Sequence, residues 1–152
     1  MFKKIILIAL IGFLSISCGN EKKEEAGSEG KDTSAEEVKP VDPKTDKGVG
    51  PITQISLGDI DPALVAQGEE LFKNKCTACH KIEKRFVGPA LKGITEKRTP
   101  EWIMNMILVP EKMVAENEEA KKLLAEFLSP MANQSLTEEE ARAILEYFRT
   151  QN

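Results

Sequence analysis

Residues Cys76-Thr77-Ala78-Cys79-His80 place two soft sulfur ligands and an imidazole within one short stretch. Three chemistries use such a set. The thiols can cycle between dithiol and disulfide, they can supply half of a zinc shell, or they can add to the vinyl groups of a haem while the next histidine meets the iron. Each makes a different demand on the rest of the chain. A thiol oxidoreductase sets its Cys-x-x-Cys beside a βαβ pattern, and a structural zinc site needs four ligands, normally Cys or His. Covalent haem needs only the adjacency: two thioethers hold the macrocycle over one helical turn, which carries the following imidazole to the metal.

The elements that must position this motif belong to a chain of 152 residues, enough for one ordinary domain. Only 5% of the residues are aromatic while 30% are charged, so a small domain plus solvated sequence fits better than one large core. The net charge of −4 comes without a dense basic run, which makes nucleic acid a poor partner. At the start, Lys3 and Lys4 precede an apolar run from Ile5 to Leu14 that is too short to anchor in a bilayer. We read residues 1–17 as a removed signal. Ser15-Ile16-Ser17 then leads into Cys18, which resembles the lipobox of bacterial lipoproteins, where that sulfur is lipidated and becomes the first mature residue. Residues 18–58 are rich in Glu, Lys, Gly, Pro and Ser and read as a disordered linker. As a flexible coil it would reach roughly 35 Å.

The folded domain is expected over residues 59–152. Asp61 caps and Pro62 opens a first helix, with Leu64, Val65, Gly68, Leu71 and Phe72 on one face, ending close to Cys76. Thr99, Pro100 and Glu101 start a second helix that stops at Pro110. A third spans Val114 to Leu128, and a fourth follows the Thr137-x-x-Glu140 capping box. No alternating strand pattern and no repeat occurs. The expected fold is all-α, about four helices preceded by a disordered tether.

Against that background the thiol-redox reading lacks its βαβ unit. The zinc reading, a metal-stabilised interaction module, lacks ligands: His80 is the single histidine, and Cys18, the third cysteine, is given to lipid. Haem attachment remains. A single histidine also excludes an intrachain bis-histidine haem, so the sixth iron ligand is methionine, lysine, water or nothing.

Residues Asp61 to Thr150 resemble a class I monohaem cytochrome c. The likeness is carried by "GEELF" before the motif, "CTACH" itself, "VGPALKGI" after it and "SPMANQSLTEEEARAILEYFRT" near the end. It implies that the Pro89 carbonyl accepts from the free ring N–H of His80, which would orient the ring and raise its basicity. It also implies that the first and last helices cross, with Gly68 and Phe72 against Ile144 and Tyr147. The distal ligand it implies is Met131, on a loop before the last helix. Met113 is the rival because it lies near a loop, while Met104 and Met106 suit core packing. In some relatives a tryptophan donates to a haem propionate, which makes Trp102 a candidate for that role or for ordinary packing. Phe86, Leu91 and Ile94 are expected to wall the haem pocket. Arg85 and Arg98 could neutralise propionates, although solvated surface suits each better.

With both axial positions filled, the resemblance implies a one-electron carrier of relatively high potential and not an enzyme. A haem protein with an open sixth site, a peroxidase or gas sensor, is the alternative. From Lys73 to Arg98 eight basic residues face only Glu83 and Glu96, whereas acidic residues outnumber basic ones two to one from Thr99 onward. A basic haem side docking on acidic redox partners is therefore expected. The resemblance implies an exported, monomeric respiratory protein, lipid-anchored to a bacterial membrane and facing the periplasm or the cell exterior. A terminal oxidase and a denitrification reductase are its candidate acceptors.

Overall fold

Proline at the first helical position gives up an N–H that would have no partner there anyway, and short polar side chains accept from the next free N–H groups. The computed structural model describes residues 41–152 and is built on those rules. Its helices are α1 (Pro62–Lys75), α2 (Ile94–Lys97), α3 (Pro100–Leu108), α4 (Pro110–Glu116), α5 (Glu118–Phe127) and α6 (Glu138–Arg149). Asp61, Thr99 and Asn117 cap α1, α3 and α5 with their side chains, and Thr137 and Glu140 form the full capping box of α6. No strand occurs among the described residues. The signal at 1–17, Cys18 and the tether as far as residue 40 lie outside them.

The all-α expectation holds, with six helices in place of about four. The expected helix from Val114 to Leu128 is two, because Asn117 is extended (φ −105°, ψ 125°) and turns its side chain to Ala120 N, 3.0 Å away. Pro110 does more than stop α3, since it opens α4. The short α2 follows Gly93, whose N–H donates to Gln151 O at 2.9 Å and ties this turn to the end of α6.

The frame of the domain is the crossing of α1 and α6. Gly68 is buried with its Cα face against the Ala143 carbonyl, an approach that leaves no room for a Cβ. Phe72 then packs at 5.5 Å from Tyr147 and 5.7 Å from Phe148, centroid to centroid. Ile144 and Leu145 of α6 are wholly buried, and Ile103, Met104 and Ile107 of α3 belong to the same core.

Residues 41–58 are not a free linker, which corrects the boundary expected at 58/59. They form a strap whose polar backbone is satisfied by side chains of the helices. Asn105 donates to Lys47 O (3.0 Å) and Ile52 O (2.9 Å) and accepts from Ile52 N (3.0 Å). Thr99 Oγ1 donates to Asp46 O, and the buried Asp46 carboxylate accepts from Asn117 Nδ2 at 3.0 and 2.8 Å. At the other end Arg142 and Arg149 reach Ser56 O and Gly58 O while both grip the buried Glu146 carboxylate. A segment poor in apolar residues is ordered here by a few buried hydrogen bonds and by buried Ile52, with Val49 and Ile55 packed beside it.

Helix α5 ends on Leu128 in the left-handed region (φ 53°), with 84% of its surface exposed. Glycine is the usual residue at such a C-terminus. Leu128→Gly gives up little packing and removes the Cβ strain, partly offset by glycine's larger unfolded-state entropy. A gain of about 0.5 kcal/mol is expected, a rise of roughly 2–4 °C in thermal midpoint; a lower midpoint would mean that Leu128 packs in a way its exposure does not show.

Candidate functional site

Beyond Lys75 the chain makes one more turn. Cys76 N donates to Phe72 O, then Cys79 N and His80 N both donate to Cys76 O at 3.0 and 2.8 Å. That turn stacks the two sulfurs and delivers the imidazole directly after them. Gly88 N returns to Cys79 O at 2.9 Å, which folds the following loop back over the ring. A Cβ on Gly88 would lie 2.5 Å from His80 Cε1 and 2.9 Å from Nδ1, so the backbone packs flat on the imidazole only because this residue is glycine. The next residue supplies the ring's partner: His80 Nδ1 lies 3.2 Å from Pro89 O. A carbonyl can only accept, so Nδ1 carries the proton and Nε2 keeps a free lone pair. Burial lowers the His80 pKa, with the Pro89 bond acting the other way, and the net shift favours the neutral ring that a metal requires.

Neither thiol is in a disulfide among the described residues, and the surroundings of Cys76 are not those of a redox-active thiolate. Burial, with a smaller contribution from Cys79, pushes the Cys76 thiol up to about 11. Reactive thiolates sit at helix N-termini or beside cations with lowered pKa values; Cys76 sits at the C-terminus of α1. Among the described residues no group of three or more His, Cys, Asp or Glu side chains could hold a metal ion.

Cys76, Cys79 and His80 open on a cavity of about 830 Å³, within the roughly 300–1,000 Å³ of cofactor sites. Pro89, Leu91 and Ile94 line it, with Ile103 and Ile107 of α3 and Ile144 and Phe148 of α6. Val114, Leu123, Leu124 and Phe127 of α4 and α5 form further wall, and Pro130 and Met131 belong to the same lining. These residues fit a haem. The walls are largely apolar, two thiols lie one turn apart, and His80 and Met131 belong to the same lining. A buried cationic nitrogen also borders it. Arg98 Nη1 lies 3.0 Å from Glu119 Oε2, close enough for charge attraction but outside hydrogen-bonding angles, and it has no other partner among the described residues. An anionic group such as a propionate would satisfy it.

Three expectations need correction and a fourth, left open, is narrowed. Phe86 is not a wall residue: its N–H donates to Gly88 O, and this turn leaves the ring 53% exposed beside Lys81 Nζ. Met113 is wholly buried away from the cavity, where its sulfur accepts from Val49 N at 3.1 Å. Trp102, for which a propionate bond and ordinary packing were both open, lines the cavity with its indole N–H donating to Asn117 Oδ1 at 3.2 Å, which favours packing. Arg98 is not solvated: it is 13% exposed and stacks 4.6 Å over the Trp102 ring. Sequence reasoning missed Met106, which lines the cavity from α3; its spacing with Ile103 and Ile107 was the available signal. It also missed Asp42, Pro43 and Lys44, which bring the strap to the cavity edge. Of the eight basic residues from Lys73 to Arg98, four are ion-paired, Lys73 with Glu69, Arg85 with Glu126, Lys92 with Glu83 and Arg98 with Glu119. The positive field is correspondingly weaker than the sequence suggests.

A family model described as "Cytochrome c" matches residues 65–152. Among curated proteins, cytochrome c-551 of Stutzerimonas stutzeri is 51% identical over 39 residues, 25% of this chain and 38% of that protein. Cytochrome c-551 of Ectopseudomonas mendocina is 58% identical over 33 residues, 21% of this chain and 40% of that protein. The chain thus spans about two fifths of the curated relatives it matches. Among solved structures, a cytochrome c from Rhodothermus marinus is 49% identical, with a TM-score of 0.65 over 66% of this chain and 88% of its own.

Proposed function

The chain belongs to the cytochrome c family, and from that premise we propose that it is a one-electron carrier, not an enzyme, with His80 and Met131 as axial ligands. Members of the family hold a c-type haem covalently, and Cys76 and Cys79 are the thiols for that attachment here. The haem, when bound, supplies the one-electron couple. The protein's part is to orient the imidazole through Pro89 and Gly88 and to exclude water with the apolar walls, and Met131 would supply the second axial donor. The observation that carries this reading is that one largely apolar cavity is lined by Cys76, Cys79, His80 and Met131, with the His80 ring oriented through Nδ1 by Pro89 O.

Met106 also borders the cavity, so the two methionines must be separated by experiment. Met131→Ala is expected to abolish the thioether-to-ferric-iron absorption band, to admit carbon monoxide to the reduced protein, and to lower the midpoint potential by on the order of 0.1 V. Met106→Ala should keep the band. The reverse pattern would move the ligand to Met106. Carbon monoxide binding to the wild type, with no such band, would favour the open-site peroxidase or sensor reading.

The wider setting follows the same reading. A signal at 1–17 and lipidation at Cys18 would tether the haem domain to a bacterial membrane, on the periplasmic or outer face, through residues 18–40. No described helix is long and apolar enough to cross a membrane. Redox partners, a terminal oxidase or a denitrification reductase among them, would dock at the cavity rim, where Lys44, Lys75 and Lys97 stand without an ion pair among the described residues.

A further inference from the structure

The segment that presents Met131 has little to hold it. Among the described residues Ser129 to Ala132 make no backbone–backbone hydrogen bond, and the chain reaches them through the left-handed Leu128. On the far side the segment is tied by Asn133 Nδ2 to Leu108 O at 3.2 Å. On the near side it is tied by a side chain from the opposite part of the site. Arg85 Nη1 donates to Glu126 Oε1 at 2.8 Å, its Nη2 donates to Glu126 O at 3.3 Å, and its guanidinium lies 4.0 Å over the Phe127 centroid. Arg85 itself runs straight into the Phe86–Gly88 turn that braces the His80 ring.

We propose that Arg85 is a positioning residue, a clasp that fastens the end of α5 to the histidine-side loop and thereby holds the Met131 segment over its partner. The proposal rests on Met131 being the sixth ligand. Charge alone does not make the clasp, because Arg85 and Glu126 are 58% and 55% exposed and an exposed ion pair is weak. The planar guanidinium engages a carboxylate, a backbone carbonyl and a ring face together, which an ammonium cannot do. The clasp therefore restrains direction as well as distance. Loosening it would leave the sulfur free to depart more often without unfolding the domain, since the α1–α6 crossing lies elsewhere.

The test uses the purified ferric holoprotein with imidazole as an entering ligand, at concentrations where departure of the methionine limits the rate. Arg85→Gln is expected to raise that rate about tenfold, with Arg85→Lys falling between it and the wild type. Arg142→Gln, which breaks an arginine–carboxylate contact on α6 away from the cavity, is the comparison and should leave the rate unchanged. A wild-type rate in Arg85→Gln, or an equal acceleration in Arg142→Gln, overturns the clasp. Absence of the thioether–iron band from the wild type overturns the Met131 assignment instead, so the two failures are distinguishable.

Discussion

Gly68→Ala is expected to destabilise the holoprotein by about 3 kcal/mol, at the top of the usual range for overpacking, and to lower its thermal midpoint by roughly 10 °C or more. The intrinsic preference runs the other way, since alanine in mid-helix is better than glycine by about 1 kcal/mol. Geometry decides the sign. The new methyl carbon would fall on the Ala143 carbonyl oxygen and lie 2.5 Å from its carbon and 3.0 Å from Ile144 N. These are backbone atoms inside α6, so no rotamer change relieves the contact and the helices must separate. Separation loosens Phe72 from Tyr147 and Phe148 and also shifts the C-terminus of α1, the base on which Cys76 and Cys79 stand. Gly58→Ala, where an added Cβ meets nothing within 4 Å, should be close to neutral and serves as the control. A wild-type midpoint for Gly68→Ala would mean that the two helices do not cross at this residue.

What could be read from the sequence is what local chemistry determines. The starts of α1, α3 and α6 were legible because a cap and a proline or a capping box act within four residues, and the motif at Cys76 to His80 carries its own geometry. The strap was not legible. Its order depends on Asn105, which bonds to Ile52 from 53 residues away, so a composition that reads as linker says nothing about it. The break at Asn117 was hidden for a related reason: apolar spacing continues through the residue, while its side chain serves as a cap, which competes with helix continuation. Phe86 misled because an aromatic close to a cofactor motif suggests a wall, whereas the direction of its side chain is set by the turn at Gly88. The residues that touch the cavity from α4 and α5 could be named only after the chain's path was known.

The second large effect concerns Asn117, through which the strap, α3 and α5 meet. Its amide nitrogen donates to both oxygens of Asp46, and its oxygen accepts from Trp102 Nε1 and Ala120 N. Asn117→Asp preserves the two acceptor roles and the cap, because aspartate caps as well as asparagine. It changes only the face toward Asp46, where two donors become a second carboxylate. Asp46 is buried, its other recorded side-chain partner is Gly48 N at 2.7 Å, and no lysine or arginine pairs with it among the described residues. Two carboxylates at that separation cannot both stay charged without large cost. At neutral pH the variant should lose about 3 kcal/mol, most visibly as protease cleavage within residues 41–58. In the folded variant one carboxyl's pKa is raised above its unfolded value, so the native state binds the extra proton first and stability rises as pH falls. The deficit should shrink steadily from pH 7 and be nearly gone close to pH 4, where the unfolded carboxyls also protonate. Adding Asp46→Asn should restore a donor and an acceptor face to face and remove the pH dependence. A deficit unchanged between pH 7 and pH 4 would show that the strap is not held through this pair, and its approach to the cavity edge would need another cause.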